Sequence, residues 1–239
     1  MLLYYVRHGS PIYNPDSLTP LGHRQAEAVG RRLALHGIDR VFVSSSIRAQ
    51  QTAQPLCELL RKEPTVLDWT NESYAWRDMC CPRDDGKGDF WGWGVPSMRA
   101  KLLSPEVAAL GANWFDHPFF AGTRFREGIL RVRRETDAFL ASLGYEHDHA
   151  RGVYRAVRPH SERIALFAHE GFGKLFLSEL LDVPYPLFST RFELAHTGLS
   201  IIEFPDEGDM TVPRVLQHSS DAHIYAEGLP TKFQDRIYL

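Results

Sequence analysis

Four short apolar runs recur along the chain: Leu2–Val6, Arg40–Val43, Arg163–Ala168 and Leu199–Phe204. They are too short for helices and have the length of strands, and the near-continuous apolar character of Leu2–Val6 and Arg163–Ala168 suits strands covered on both faces. Longer segments with helical spacing separate them. Thr19-Pro20 opens the first, with a hydroxyl N-cap followed by a proline whose missing N–H costs nothing there. That helix carries Ala26, Val29 and Leu33 and stops near Gly37. After Ser44-Ser45-Ser46, a second helix places Ala49, Ala53, Leu56 and Leu60 on one face. Thr65–Trp69 reads as a short third strand. Residues 126–143 form a helix through Ile129, Val132, Thr136, Phe139 and Leu143, and Phe172–Leu181 forms another directly behind Arg163–Ala168. Alternating strands and helices predict an α/β fold with a mainly parallel sheet.

One stretch breaks this rhythm. From about residue 73 to 125 the chain is rich in glycine and proline and holds Trp76, Trp91, Trp93 and Trp114, four of its five tryptophans. A structureless loop of that length does not suit a compact domain, so an inserted subdomain or lid is expected. It could shape a pocket for a leaving group, form a mini-core, or make a contact between two copies in a homodimer. A second, shorter insertion is expected over Tyr145–His160. The remaining features read as one domain over residues 1–239.

Bulk properties narrow the function. A formal net charge of -3 gives no whole-protein reason to expect nucleic acid as a partner. No apolar run approaches the roughly 18 residues of a membrane helix, and the N-terminal apolar stretch is short for a secretion signal. Three cysteines without a CxxC spacing fit neither a disulfide framework nor a zinc site. A reduced, cytoplasmic protein is expected.

Three strand ends carry one kind of chemistry. The first run ends in Arg7-His8-Gly9; the second continues through three serines to Arg48; "RIALFA" ends in His169-Glu170-Gly171. Open α/β sheets bind ligands outside the carboxyl ends of their strands. Two arginines, two histidines and helix N-termini suit a tetrahedral dianion, since the guanidinium fork matches phosphate oxygens. Gly9 and Gly171 would let backbone approach the ligand. Each element alone has a bland reading as a turn or surface residue. Their coincidence at three strand ends carries the argument. Elsewhere, "DDGKGD" (84–89) lacks the spacing of a calcium loop and reads as a charged turn. His218 and His223 have no third ligand, while Arg77, Arg83 and Arg124 could touch a second anion on the substrate.

"RHG" (7–9), Asn14, "LTPLGHRQA" (18–26), "SSSIRAQQTA" (44–53), "NES" (71–73) and "FAHEG" (167–171) together resemble the histidine phosphatase, or phosphoglycerate mutase-like, superfamily. The resemblance implies a three-layer, mostly parallel sheet flanked by helices. It implies His8 as nucleophile, with Arg7, Arg48 and His169 forming the phosphate pocket. Asn14 would be an auxiliary phosphate contact, Gly171 part of the binding site, and Glu72 the proton donor. One departure is Glu170, where the family usually has a glycine or small residue; it is expected to point away or to pair with an arginine.

These roles suit the chemistry. A neutral imidazole can split a difficult displacement into two. Cationic donors stabilise the equatorial oxygens of the transferring group, and a carboxylic acid protonates the leaving alkoxide. No metal and no cofactor is required. The expected function is hydrolysis of a small phosphomonoester. The alternatives are a mutase-type phosphotransferase and a catalytically silent phosphate-binding protein. "SPIYNPDSLTPLG" lacks the longer tryptophan-containing stretch usual in mutases, and His8, Glu72 and His169 speak against a silent relative.

Overall fold

The structure is a computed structural model that describes residues 1–233 and 237–238. Its elements begin with β1 (Leu2–Arg7), α1 (Pro20–His36), β2 (Arg40–Ser44), α2 (Ile47–Leu60), β3 (Thr65–Leu67) and α3 (Glu72–Met79). After the aromatic segment come α4 (Phe125–Ser142), β4 (Tyr145–Asp148), β5 (Val153–Ala156), β6 (Arg163–Ala168) and α5 (Glu170–Leu180). The chain continues through α6 (Tyr185–Arg191), β7 (Leu199–Glu203) and β8 (Arg214–Ser220). Thr19 caps α1 through the N–H of Gly22, and Ser46 caps α2 through that of Ala49. Gly37, with φ +70°, supplies the left-handed backbone that ends α1.

The central sheet has strand order β8-β7-β1-β6-β2-β3. β1, β6, β2 and β3 run parallel, and β7 and β8 are antiparallel additions at one side. Successive strand side chains point to opposite faces, and two separate cores result. Leu3, Tyr5, Phe42, Ile164 and Leu166 face Phe139, Leu140, Phe172 and Phe176 of α4 and α5. Tyr4, Val6, Val41, Val43, Ala165 and Phe167 face Val29, Leu33, Ala53 and Leu56 of α1 and α2. This is the three-layer arrangement expected. Fully buried Phe167 fixes both register and layer; truncating such a side chain to alanine costs about 3–5 kcal/mol.

Strand β8 lies beyond the last strand read from the sequence. It forms an edge, and Arg214 to Gln217 are exposed, so no buried face imposes an apolar alternation.

The aromatic segment is built from short pieces. A hairpin pairs Cys80–Pro82 with Asp89–Trp91, and short helices span Pro96–Leu102 and Pro105–Ala108. "DDGKGD" is the turn of that hairpin, with Asp85 accepting from the N–H of Lys87 and Asp84 from that of Ser97. Trp93, Trp114, Phe115, Phe120 and Phe125 are buried and continuous with the core over α4 and α5. Trp114 stacks on Tyr185 of α6 at 5.7 Å. The mini-core reading therefore holds for Trp93 and Trp114. Residues 145–156 form the β4–β5 hairpin, extended by Met210–Thr211. Cys57, Cys80 and Cys81 are all free. Among the described residues, no helix is long and apolar enough to cross a membrane.

Candidate active site

Because β1, β6 and β2 are adjacent and parallel, their carboxyl ends open on one edge of the sheet. His8 leaves β1, His169 leaves β6, and Ser44 to Arg48 lead from β2 into α2. The rings of His8 and His169 lie 5.2 Å apart and both are buried. His8 Nδ1 is 2.7 Å from the Gly9 carbonyl, so the proton resides on Nδ1 and the Nε2 lone pair is left for chemistry. Burial, then the neighbouring charges of Arg7 and Arg48, hold the His8 pKa well below the ordinary imidazole value. The ring is therefore neutral near pH 7, as a nucleophile requires.

His169 has the opposite tautomer. Arg48 Nη2 donates to its Nδ1 at 3.2 Å, so Nε2–H donates to Ser44 Oγ at 2.8 Å. Burial, with His8 and both arginines, lowers its pKa as well. Arg48 is anchored from outside by Asp16, 2.7 Å from Nη1, and the Tyr13 ring lies against its guanidinium. The hairpin of residues 11–18 thus serves mainly to deliver Asp16. Asn14 is exposed at its tip, and among the described residues it makes no hydrogen bond to the histidine cluster.

Arg7 is nearly buried. It donates to the Leu194 carbonyl and, at 3.1 Å, to His196 Nε2. Its Nη1 lies 2.8 Å from Glu170 Oε2. Glu170 therefore pairs with an arginine. Its other oxygen meets fully buried Lys174 at 3.2 Å, and Lys174 also reaches Glu193. Burial alone would raise the pKa of Glu170; Arg7 and Lys174 outweigh it and hold the carboxylate ionised. The Nε atoms of Arg7 and Arg48 are buried donors without a hydrogen-bond partner among the described residues. Two orphaned cationic donors beside a neutral imidazole suit an anion with several oxygens.

Glu72 begins α3 and caps α5. Its two carboxylate oxygens accept the N–H groups of Gly171 and Phe172, each at 2.8 Å. Burial raises its pKa to about 6, partly offset by those two bonds. Asp78 is unlike it. It is buried among Arg77, Arg124 and Arg131, which outweigh the effect of burial and keep it ionised. Arg77 and Arg124 are thus committed to Asp78, and Arg83 pairs with Asp85.

Gly9 and Gly171 are also demanded by packing within the chain. A Cβ on Gly9 would lie 2.6 Å from the carbonyl oxygen of Gly22 in α1, so Gly9 permits close chain packing. A Cβ on Gly171 would lie 2.2 Å from the ring of Trp91. What Gly171 admits is the Trp91 ring of the aromatic segment. Trp91 stacks on Trp93 at 4.6 Å, and Trp93 lies against the Lys174 ammonium, also at 4.6 Å.

His196 was missed by sequence reading. Its ring lies 5.9 Å from that of His8. Since β7 is antiparallel to β1, with Leu199 opposite Val6, the residues preceding β7 meet the residues following β1. "LAHTG" before an apolar strand was the available signal, but only strand direction makes it meaningful.

Residues 3–75 match the family model described as histidine phosphatase superfamily (branch 1). The chain is 38% identical over 232 residues to PE-PGRS family protein PE_PGRS11 of Mycobacterium tuberculosis, covering 89% of this chain and 36% of that protein. It is 32% identical over 145 residues to a 2,3-bisphosphoglycerate-dependent phosphoglycerate mutase of Methylobacterium sp., covering 55% and 64%. It spans about a third of the first relative and under two thirds of the second. In fold it is similar to the phosphoserine phosphatase of Entamoeba histolytica solved with 3-phosphoglyceric acid. That match has 20% identity and a TM-score of 0.57, over 93% of this chain and 98% of the other. The paired buried histidines on a mostly parallel sheet accord with that family match over residues 3–75.

Proposed function

We propose that the protein is a phosphomonoesterase acting on a small phosphorylated metabolite through a phosphohistidine on His8. The observation that carries this reading is the tautomer of His8: Nδ1 is tied to the Gly9 carbonyl, and burial keeps the ring neutral. In the first displacement Nε2 bonds to phosphorus and the ester P–O bond breaks. The leaving oxygen takes a proton from Glu72, whose raised pKa of about 6 suits a general acid. Arg7, Arg48 and His169 stabilise the equatorial oxygens. In the second displacement Glu72 removes a proton from water, the water oxygen bonds to phosphorus, and the P–Nε2 bond breaks. Asn14, at the tip of its hairpin, is the auxiliary phosphate contact in this reading.

The steps need no metal, because the pocket supplies its own cations. Water as acceptor accords with the phosphatase activity named for the Entamoeba protein of similar fold. The mutase relative keeps phosphotransfer as a second reading. A panel of phosphorylated metabolites in ¹⁸O-labelled water, with chelator present, decides between them. Hydrolysis places one labelled oxygen in released phosphate. Isomerised substrate without released phosphate would favour the mutase reading, and activity restored only by added metal would overturn metal independence.

A further inference from the structure

We propose that Asp137, His147 and His149 form a binding site for one zinc-class divalent cation (Zn²⁺, Co²⁺ or Ni²⁺), joining the β4–β5 hairpin to α4. Their potential ligand atoms all lie within 4.8 Å of one another. His147 lies on β4 and His149 in the turn directly after it, and their rings lie 3.8 Å apart and present one joint face. Asp137 approaches that face from α4, with Oδ2 at 2.8 Å from His149 Nε2 and Oδ1 at 3.2 Å from His147 Nδ1.

The fourth residue gives the cluster its metal-site character. Asp182, just beyond α5, lies 2.9 Å from His147 Nε2. An outer carboxylate on one ring nitrogen fixes the orientation and tautomer of the imidazole and leaves the other nitrogen to the metal. Here Nε2 is tied to Asp182, and Nδ1 faces Asp137 and His149. The ring is further held by Tyr154, stacked at 4.2 Å. Its side chain is only 1% exposed, whereas that of His149 is 40% exposed, which gives a cation a route in.

Two imidazoles and one carboxylate select zinc-class ions over magnesium or calcium, which prefer all-oxygen sets. Metal–ligand bonds of about 2.0–2.2 Å put neighbouring ligand atoms about 3.4 Å apart. The Asp137 contacts at 2.8 and 3.2 Å are already that short, and only the widest pair, within 4.8 Å, has to close by at most about 1.4 Å, which exposed His149 can do. The remaining coordination position would fall to solvent. This site is distinct from the phosphate pocket. Asp182 follows the far end of α5, about 16 Å along the helix from Glu170 at 1.5 Å per residue. His218 and His223 do not join it, since they bond to the Glu193 carbonyl and to Thr197. The competing account is a salt-bridged His147 held as a cation between Asp137 and Asp182.

Metal-stripped full-length protein titrated with Zn²⁺ by calorimetry, and with Co²⁺ by absorbance, separates the two. One equivalent should bind per chain, with a rise in Tm. His149→Ala and Asp137→Asn should each weaken binding by at least about 10-fold, and Asp182→Asn by about 10- to 100-fold. His149→Ala removes a part-exposed ring from a surface turn, so the variant should fold and keep its phosphate release. His8→Ala should bind Zn²⁺ like the parent. The proposal is overturned if the parent binds no Zn²⁺ or Co²⁺. It is also overturned if His149→Ala binds as the parent does, or if binding is lost in His8→Ala instead.

Discussion

Glu170 Oε2 lies 2.8 Å from Arg7 Nη1, placing a carboxylate directly on one of the two arginines of the proposed phosphate pocket. The position would repel substrate if the charge faced the ligand. Instead it is shared between Arg7 and fully buried Lys174, and Lys174 is balanced again by Glu193. In the alternating chain Arg7–Glu170–Lys174–Glu193, the Lys174 ammonium lies against the ring of Trp93.

Glu170→Gln should therefore destabilise the fold by about 3 kcal/mol at pH 7, the low end for breaking a buried pair. Arg7 keeps the Leu194 carbonyl and His196, and Lys174 keeps Glu193. The folded-state pKa of Glu170 is depressed below its ordinary 4.5. Its contribution is thus complete above that value and fades as the pH falls towards the folded-state value. Urea unfolding of parent and variant should show a gap at pH 7 that narrows by pH 3. A gap independent of pH would mean that Glu170 is not held ionised.

As the proposed acid, Glu72 should set the alkaline limb of the first chemical step. With a pKa near 6, the carboxylic acid is lost as the pH rises through that value, while His8 stays neutral well below it. For a sugar phosphate, kcat/KM should fall above about pH 6. Glu72→Gln should remove that limb and lower phosphoenzyme formation by about 10²–10⁴-fold. p-Nitrophenyl phosphate leaves as a stabilised anion and should lose less in single-turnover kinetics. Equal losses for both would identify Glu72 as a helix cap and not the acid. Asp78 and Asp84 are poor replacements, since Asp78 is held by three arginines and Asp84 by Ser97.

Trp91 and Trp93 should separate on substitution. Buried Trp93 belongs to the core, so Trp93→Ala should cost about 3–5 kcal/mol in stability. Half-buried Trp91 sits on Gly171, at the end of α5 that Glu72 caps. Trp91→Ala should shift KM among bulky natural substrates and affect a small synthetic ester less. Gly171→Ala should reproduce that pattern by pushing the ring away. Equal changes for all substrates would leave Trp91 with a packing role alone.

Much of the fold was legible because both cores impose a pattern. β1 and β6 are apolar at nearly every position, and α1 announces itself through Thr19, Pro20 and Gly37. β8 was illegible because an exposed edge strand needs no buried face. At the site, His8, His169, Arg7 and Arg48 could be read because each follows a recognisable strand. Asp16, Lys174 and His196 could not, since their roles arise from a hairpin fold-back, a buried charge chain and an antiparallel strand. Asp137, His147 and His149 escaped for a similar reason: helix and hairpin meet only in the folded chain. What packs on Gly9 and Gly171, the backbone of Gly22 and the ring of Trp91, is likewise hidden until the chain folds.

The central claim is the phosphohistidine, and rapid quench with ³²P-labelled substrate tests it most directly. Parent protein should accumulate an acid-labile, base-stable adduct within one turnover, mapped to His8 by digestion. His8→Ala should form none and lose phosphate release. Turnover by His8→Ala at the parent rate, or an adduct on another residue, would contradict the account.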